Sequence, residues 1–307
     1  MDFELAIIGA GPAGYSAAIY AERAGIKTIV FDKNGGGGLA SIAPNIENYA
    51  GFKSITGAEL LEKMKEHASD YAEMKLYEEI QDIKKNENGF TITTAENKAY
   101  SVGAILLGTG TEHRKLTCEG ISKFEGKGVS YCATCDGFFF KNKNVGVVGG
   151  GNSALIEAIY LKQIGCKHVY LIHRRDQLRA EEAYEKDAKK AGVEFLLDTE
   201  VEKLSGNDLL SKITLKNKKT GESKELDMDG LFISIGVLPQ NELAKKIGVT
   251  LDDYGYIIVD KNMRTNVTGV YAAGDITGGL RQIITAAAEG AIAALTSTEV
   301  LGKQYPY

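Results

Sequence analysis

Residues 9–14, Gly9-Ala10-Gly11-Pro12-Ala13-Gly14, decide the fold of this chain. They follow a short apolar strand predicted at residues 5–8 and open a helix predicted to end near Ala24. In this pattern the first glycine permits a tight turn, the second lets the backbone approach a pyrophosphate, and the third lets helix and strand pack closely. The next predicted strand, residues 28–31, leads to Asp32, about 20 residues on, where an acid binds a ribose 2′-hydroxyl. The stretch therefore predicts a dinucleotide-binding α/β unit.

The same pattern recurs at Gly149-x-Gly151-x-x-Ala154, after a strand predicted at residues 144–148 and before another helix. The strand that follows, predicted at 169–172, ends differently, in His173-Arg174-Arg175 with Arg179 a turn further on. An acid there would repel a 2′-phosphate, whereas guanidinium groups bind one bidentately. The first site therefore fits FAD or NAD and the second fits NADPH. A solvated basic surface is the alternative, and Asp176 weakens the phosphate interpretation.

Two cysteines, Cys132 and Cys135, lie just ahead of the second glycine motif, and Asp136 follows them directly. A disulfide across two residues closes a very small loop, so it contributes little chain-entropy stabilisation and favours easy reduction. A redox centre is the preferred interpretation; ordinary buried thiols and zinc are the alternatives. Zinc needs about four ligands, and the other candidates form no second short-spaced pair: Cys118, Cys166, His67, His113, His168 and His173. We predict no metal site.

Composition limits the class of protein. A chain of 307 residues suffices for two domains. Its net charge of −5 does not indicate a positively charged surface that would bind nucleic acid. No run approaches about 20 consecutive apolar residues, and the N-terminus lacks the basic segment of a signal peptide. Four cysteines in so long a chain are not a secreted disulfide framework. We expect a cytoplasmic protein with neither nucleic-acid nor membrane partners.

Weaker patterns predict the remaining elements. Helices are expected at residues 55–74 and from about Arg281 to Leu301, strands at 91–94, 104–107, 231–236 and 269–275, a small β-meander at 201–225 and a linker at 239–241. Residues 34–39 contain four consecutive glycines and are expected to be irregular, because glycine carries the largest backbone entropy cost. Their place after the ribose-binding strand favours a ligand-contacting loop over a flexible linker.

Together these residues resemble the low-molecular-weight thioredoxin reductases, the bacterial and archaeal branch of the flavoprotein disulfide reductases with two dinucleotide-binding domains. The resemblance runs essentially end to end. The motifs that carry it are Gly9-Ala10-Gly11-Pro12-Ala13-Gly14, Glu47-Asn48-Tyr49, Cys132-Ala133-Thr134-Cys135-Asp136, Gly149-Gly150-Gly151-Asn152-Ser153-Ala154, His173-Arg174-Arg175 with Arg179, and Gly274-Asp275 with Arg281-Gln282. A Cys-x-x-Cys just before the second glycine motif separates this branch from glutathione-reductase-like relatives, whose redox pair lies near the first motif.

The resemblance implies an α/β fold of two Rossmann-like dinucleotide-binding domains, each with a small β-meander. A discontinuous FAD domain would comprise residues 1–113 and 244–307. The NADPH domain, residues 114–243, would be inserted in it and carry the redox pair. Hinges near Glu112-His113-Arg114 and Pro239-Gln240-Asn241 would let the inserted domain alternate between two orientations. A homodimer is also implied.

The resemblance further implies a set of binding residues. FAD would be held by Gly9, Gly11, Pro12, Ala13, Gly14, Asp32, Lys33, Gly38, Leu39, Asn48, Gly110, Gly274, Asp275, Arg281, Gln282 and Ile283. NADPH would be held by Gly149, Gly151, Asn152, Ser153, Ala154, His173, Arg174, Arg175 and Arg179. Two departures fall on the flavin side: Leu39 stands where many relatives have Gln, and Ala50 where Pro is common.

The implied activity is transfer of electrons from NADPH through FAD and the dithiol to the disulfide of thioredoxin. Cys135 would be the sulfur nearer the flavin, Cys132 the thiolate that attacks thioredoxin, and Asp136 the proton donor and acceptor. One alternative is the same enzyme with ferredoxin or deazaflavin as donor, or with another thioredoxin-like acceptor. Relatives with such donors typically lose the glycines or arginines that this chain keeps. A non-catalytic flavin redox sensor is the remote alternative.

Overall fold

The computed structural model describes residues 1–43 and 46–305. The chain divides into two compact units, one formed by Met1–Glu112 with Leu238–Tyr307 and the other by His113–Val237. The second unit is thus inserted into the sequence of the first. Among the described residues, no helix has the length and apolar character needed to cross a membrane.

Strands and helices alternate through most of the chain. The strands are β1 (Phe3–Ile8), β2 (Thr28–Asp32), β3 (Glu73–Leu76), β4 (Ile80–Asn86), β5 (Gly89–Thr94), β6 (Ala99–Leu107), β7 (Thr111–His113), β8 (Val129–Ser130), β9 (Asn144–Gly149), β10 (His168–Ile172), β11 (Glu194–Leu196), β12 (Thr199–Gly206), β13 (Leu210–Asn217), β14 (Ser223–Asp227), β15 (Gly230–Ser234), β16 (Val237–Pro239) and β17 (Val270–Ala272). The helices are α1 (Pro12–Arg23), α2 (Gly57–Ser69), α3 (Ile121–Phe124), α4 (Ala133–Asp136), α5 (Asn152–Gln163), α6 (Glu182–Lys190), α7 (Glu242–Lys246) and α8 (Ile283–Ser297).

The first unit is built on a sheet in the order β3-β2-β1-β6-β5-β4, with β17 also paired to β6. β1, β2, β3, β6 and β17 pair in parallel, whereas β4, β5 and β6 form an antiparallel meander. The long strand β6 serves both parts, because Val102 pairs with Phe3 of β1 and with Phe90 of β5. The carboxyl ends of the parallel strands consequently share one edge of the sheet, where ligands of open α/β sheets bind.

Small residues bring α1 and α8 into close contact. Ala17, Ala18 and Ala21 of α1 are fully buried. A Cβ on Gly290 of α8 would lie 2.0 Å from the carbonyl oxygen of Ala13, so the two helices pack almost backbone to backbone. This packing fixes the beginning of α1, and with it the first glycine turn.

The second unit repeats the plan on a smaller scale. Its sheet runs β11-β10-β9-β15-β8 and all of its pairs are parallel. An antiparallel meander, β12-β13-β14, adds a separate three-stranded sheet. The strands that precede and follow the inserted unit, β7 and β16, pair with each other.

Two predicted helices are too long. The prediction at 55–74 becomes α2, because a capping box between Thr56 and Glu59 starts the helix and the chain after Asp70 enters β3. There Met74 pairs with Val30 of β2, so it belongs to the sheet. The prediction from Arg281 to Leu301 becomes α8; near its end the hydroxyl of Thr298 donates to the carbonyl of Leu295.

Other segments also differ from prediction. The irregular stretch at 34–39 runs into a 3₁₀ helix, Gly38–Ile42, and the strand at 269–275 shortens to β17. The linker at 239–241 begins within β16 and leads into α7. The second boundary between the units falls at residue 237 instead of 243. It does so because Leu243 of α7 packs against the core of the first unit, while Gln240 and Asn241 donate hydrogen bonds to the carbonyls of Gly110 and Gly255 in the same unit.

Candidate active site

The first glycine turn has the geometry that its pattern predicts. Gly9 has a φ of +113° and its N–H donates to the carbonyl of Phe31 at 2.8 Å. A Cβ on Gly14 would lie 2.0 Å from the carbonyl oxygen of Gly9, so helix and strand are in backbone contact. A Cβ on Gly11, in contrast, would meet no protein atom within 4 Å. The turn therefore leaves open space at the N-terminus of α1, where an anion is favoured.

Asp32 closes this turn at the end of β2. Its carboxylate accepts from the N–H of Ala10 at 2.8 Å and from the N–H of Asn34 at 2.7 Å. The acid is thus held beside the glycine turn by backbone donors. Each carboxylate oxygen has a second lone pair that a ribose hydroxyl can use.

The glycine run is folded against the same turn. Gly36, Gly37 and Gly38 have φ of +85°, +88° and +59°, a region that favours glycine. The N–H of Gly37 donates to the carbonyl of Ala10 at 2.7 Å, and a Cβ on Gly36 would lie 2.2 Å from the Tyr15 hydroxyl. The run is therefore a loop held against the first glycine turn.

The structure brings together residues that are far apart in the sequence. The side-chain amide of Asn48 donates to Oε1 of Gln282 at 3.0 Å, across 234 positions. Both were predicted to hold FAD. Gln282 occupies the N-cap position of α8 without a side-chain capping hydrogen bond, and Ile283 is the first residue of that helix.

Asp275 lies at the tip of the turn after β17. Burial raises the pKa of its carboxyl, while Arg281 lowers it and Glu289 raises it further. Among the described residues no group donates a hydrogen bond to this carboxylate. The turn itself is held by Glu289 of α8, whose Oε2 accepts from the N–H of Gly274 at 2.7 Å and lies 3.4 Å from Oγ1 of Thr277. A half-buried carboxylate without a protein donor suits a ligand that carries hydroxyl groups.

The other residues predicted for FAD lie in the first unit. Pro12 begins α1 and Ala13 is buried beside it. Lys33 pairs with Glu112 at 3.2 Å, and Gly110 accepts from the N–H of Gln240 at 3.0 Å. Gly38 and Leu39 begin the 3₁₀ helix.

The second glycine turn differs in detail from the first. A Cβ on Gly149 would lie 2.4 Å from the carbonyl oxygen of Ser234 and 2.6 Å from the Cβ of Ala154. A Cβ on Gly151 would meet nothing within 4 Å. The predicted binding residue Ser153 is exposed, whereas the side chain of Asn152 exchanges hydrogen bonds with Glu181 at 2.8 and 2.9 Å. Open space again lies at a helix N-terminus.

His173 and the arginines occupy different environments. The imidazole of His173 packs on Gly150, whose added Cβ would lie 2.3 Å from its ring. Burial lowers the pKa of His173. Arg174, Arg175 and Arg179 are exposed, and their guanidinium groups make no hydrogen bond or ion pair with any described residue. The backbone N–H of Arg179 donates to the carbonyl of Gly150 at 2.7 Å, which ties the arginines to the glycine turn.

Cys132 and Cys135 form a disulfide, with their Cα atoms 5.3 Å apart. Cys132 is the N-cap of the four-residue helix α4, and its Sγ accepts from the N–H of Cys135 at 3.2 Å. Oγ1 of Thr134 lies 3.3 Å from the same sulfur. These donors would stabilise a thiolate on Cys132 after reduction. Because α4 is so short, the local N–H group matters more than a helix dipole.

Asp136 ends α4 and is largely buried. Burial raises the pKa of its carboxyl, and a hydrogen bond from Ser130 partly offsets this. The Ser130 hydroxyl lies 2.5 Å from Oδ2 and also accepts from the N–H of Cys132 at 3.1 Å. Oδ1 is buried and has no hydrogen-bond partner among the described residues. One carboxylate oxygen is therefore held by Ser130, and the other is left without a partner among the described residues.

The two remaining cysteines lie elsewhere in the second unit. Burial raises the pKa of Cys118 to about 11 and that of Cys166 to about 11, so both are protonated near neutral pH. Both thiols are free.

The sequence reasoning missed Ser130 and Glu289. Ser130 lies two residues before the cysteine pair, but nothing in the pattern distinguishes it from an ordinary strand residue. Glu289 carried a usable signal, since it is a lone acid in the small-residue segment Ala286-Ala287-Ala288-Glu289-Gly290. A charged residue in a closely packed helix is commonly held by a partner.

A disulfide pair on one of two dinucleotide-type α/β units defines a pyridine nucleotide-linked disulfide oxidoreductase. Residues 3–290 match the family described as Pyridine nucleotide-disulphide oxidoreductase. The thioredoxin reductase of Treponema pallidum (strain Nichols) is 43% identical over 296 residues, which cover 95% of each chain. The crystal structure of thioredoxin reductase from Streptococcus pyogenes MGAS5005 matches with a TM-score of 0.93 and 37% identity over 98% of each chain.

The thioredoxin reductase from Giardia duodenalis matches with a TM-score of 0.93 and 35% identity, over 98% of this chain and 99% of that one. The chain therefore belongs to the low-molecular-weight thioredoxin reductase family, and it is an oxidoreductase. The predicted family and fold class are confirmed.

The family implies a flavin and a pyridine nucleotide, and the residues present fit both groups. Space for a ligand backbone is open at Gly11 and Gly151, each at the N-terminus of a 12-residue helix. The donor-free carboxylate of Asp275 suits a polyol, and the unpaired arginines suit a phosphate.

Proposed function

We propose that this chain is an NADPH-dependent thioredoxin-disulfide reductase that uses FAD. The observation that carries the proposal is the Cys132–Cys135 disulfide beside the buried carboxyl of Asp136. A structural disulfide has no need of a proton-exchanging neighbour. A dithiol that cycles between oxidised and reduced states does need one, because two protons are taken up with two electrons.

The bound flavin would supply a two-electron carrier between the nicotinamide and the protein disulfide. Reduction of the Cys132–Cys135 bond takes up two electrons and two protons and yields two thiols, of which Cys132 then loses its proton to become a thiolate. The thiolate of Cys132, stabilised by the N–H of Cys135, attacks one sulfur of the acceptor disulfide and forms a mixed disulfide. Cys135 then attacks Cys132, which restores the intramolecular disulfide and releases the acceptor as a dithiol.

Asp136 would exchange the protons of this cycle. Its raised pKa lets the carboxyl be protonated closer to neutral pH than an exposed Asp, so it can donate to a leaving thiolate and later accept a proton. Ser130 fixes the direction of the carboxyl through Oδ2. The free oxygen, Oδ1, is the site from which the proton would move.

The proposed binding residues keep the roles implied by the resemblance. Gly9, Gly11, Gly14 and Asp32 would hold the ADP half of FAD, and Asp275 its ribityl chain. Asn48 with Gln282 would lie by the flavin ring, and Arg174, Arg175 and Arg179 would bind the 2′-phosphate of NADPH. The mutual contact of Asn48 and Gln282 supports a shared site.

A protein acceptor is supported by the surface beside the dithiol. Phe138 and Phe139, directly after the Cys motif, are 63% and 39% exposed. Large apolar side chains at the surface next to a reactive group favour docking of another protein. Thioredoxin is the acceptor named for the relatives, and it is the acceptor proposed here.

We further propose a cytoplasmic homodimer. Two unpaired cysteines, Cys118 and Cys166, suit a reducing compartment. Ile284 and Ile292 of α8 are exposed and lie about two turns apart on one face, which supports a self-association surface. Light scattering on the purified protein tests the dimer: the mass of a single chain would contradict it.

The function is tested by turnover with NADPH and a thioredoxin, compared between wild type and Cys135→Ser. The variant should still pass hydride to flavin but should reduce no thioredoxin. An unchanged rate of thioredoxin reduction in Cys135→Ser would refute the dithiol route. Cys166→Ser is the matched control, and it should retain activity because that thiol is free and takes no part in the disulfide.

A further inference from the structure

The arginine cluster contains one acid, and its position calls for an explanation. Asp176 directly follows Arg174 and Arg175, and it is exposed like them. A free carboxylate there would compete with a phosphate for the guanidinium groups and repel it. The structure nevertheless leaves all three arginines unpaired within the described residues.

Asp176 is instead paired with a lysine from another part of the unit. Nζ of Lys219 lies 3.3 Å from Oδ2 of Asp176 and 3.0 Å from Oδ2 of Asp198. The two carboxylates raise the pKa of Lys219, so it stays charged. Lys219 therefore compensates the acid of the cluster without using an arginine.

The turn that carries Lys219 is built into the cluster by backbone bonds. Oδ1 of Asn217 accepts from the N–H of Lys219 at 2.9 Å, which fixes the turn between β13 and β14. The N–H of Lys218 donates to the carbonyl of Asp198 at 2.6 Å. The N–H of Asp198 in turn donates to the carbonyl of Arg175 at 3.1 Å. The lysine is thus positioned relative to the arginines and does not merely lie near them.

We infer that Lys219 determines specificity for NADPH over NADH by sequestering the carboxylate of Asp176, which keeps Arg174, Arg175 and Arg179 available to a 2′-phosphate. The inference rests on the proposed use of NADPH and extends it to the β-meander. Lys219 is a positioning residue in this account, because it acts through Asp176 and not on the nucleotide.

Replacing Lys219 by Met should release Asp176 and weaken binding of the phosphorylated nucleotide only. Exposed charges interact weakly, so the expected loss of NADP⁺ affinity is about two- to tenfold at low ionic strength, and it should shrink as salt is raised. Binding of NAD⁺ should change little, because it has no 2′-phosphate. The double variant Asp176→Asn/Lys219→Met should recover most of the NADP⁺ affinity.

The test is calorimetric titration of the FAD-loaded protein with NADP⁺ and with NAD⁺, at about 50 and 200 mM salt. Lys218→Met is the matched control: it removes the same charge from the same turn, but Lys218 pairs with Glu200 at 3.2 Å. It should leave the NADP⁺ to NAD⁺ affinity ratio unchanged. Lys219→Arg should behave like wild type.

Two results would overturn the inference. One is a Lys219→Met variant with the wild-type affinity ratio. The other is a loss in Lys219→Met that Asp176→Asn does not restore, which would make Lys219 a direct phosphate ligand. If wild type itself bound NADP⁺ no more tightly than NAD⁺, the proposed donor would be wrong, and this outcome is separate from the other two.

Discussion

The two glycines of the second turn should respond in opposite ways to the same added methyl group. Gly151 has extended backbone angles, φ −103° and ψ 177°, that alanine adopts without strain, and its Cβ would meet no protein atom within 4 Å. The Cβ of alanine at 149 would instead lie 2.4 Å from a carbonyl oxygen of β15. Gly149→Ala should therefore damage the fold, whereas Gly151→Ala should damage only nucleotide binding.

The expected losses of stability and of nucleotide affinity follow from these distances. Overpacking against backbone costs typically about 1–3 kcal/mol, and Gly149→Ala should lose at least that much free energy of unfolding. In Gly151→Ala two effects on the free energy of unfolding oppose each other. The loss of a favourable N-cap residue destabilises the fold, and the lower entropy of the unfolded chain stabilises it, each by up to about 1 kcal/mol. If a pyrophosphate occupies the open space, the methyl group costs the ligand about 1–3 kcal/mol, which is about 5- to 150-fold in Kd.

Thermal unfolding and calorimetric titration with NADP⁺ measure the two effects on the same samples. Gly151→Ala should unfold close to the wild-type Tm, retain its flavin and bind NADP⁺ more weakly. Wild-type affinity for NADP⁺ in Gly151→Ala would refute the assignment of the open space to the nucleotide. A Tm as low as that of Gly149→Ala would refute the steric reasoning.

Three further results are expected. Asp136→Asn should slow thioredoxin reduction. It should also have a higher Tm than wild type, by a larger margin at pH 8 than at pH 5. Burial raises the pKa of Asp136, so the wild type loses stability as the pH rises through that pKa. Equal Tm differences at the two pH values would contradict this. Ser130→Ala should raise the pKa of Asp136 further, because the hydrogen bond from Ser130 lowers it, and should shift the pH–rate profile of disulfide reduction to higher pH. Glu289→Ala should weaken flavin binding, as measured by flavin fluorescence. The N–H of Gly274 loses its acceptor in this variant, which costs about 1–3 kcal/mol. Glu289→Gln keeps an acceptor and should bind flavin nearly as well as wild type.

Local patterns predicted the parts of the fold that short segments determine. The glycine turns at Gly9 and Gly149 were found from spacing alone, because turn, strand and helix all lie within about 30 residues. The cysteine pair and its neighbour Asp136 were equally local. Helix ends were less accurate, since a capping box at Thr56 and the pairing of β3 shortened α2.

Contacts between distant segments could not be read in the same way. Asn48 and Gln282 were each identified, but their hydrogen bond depends on how the sheet of the first unit brings α8 back to the glycine turns. Lys219 gave no signal at all, because a lysine in a polar turn is ordinary until the fold places it between Asp176 and Asp198. Such charge pairs depend on tertiary structure, and one sequence does not reveal them.

In the proposed route, electrons from NADPH reach the Cys132–Cys135 disulfide through the flavin. It is tested most directly by anaerobic incubation with NADPH, alkylation of the thiols and mass spectrometry of the two cysteines. Both cysteines should become alkylated in the FAD-loaded protein with NADPH, far less with NADH, and not in protein stripped of flavin. If NADPH bleaches the flavin while the pair remains a disulfide that dithiothreitol can reduce, the proposed route is contradicted.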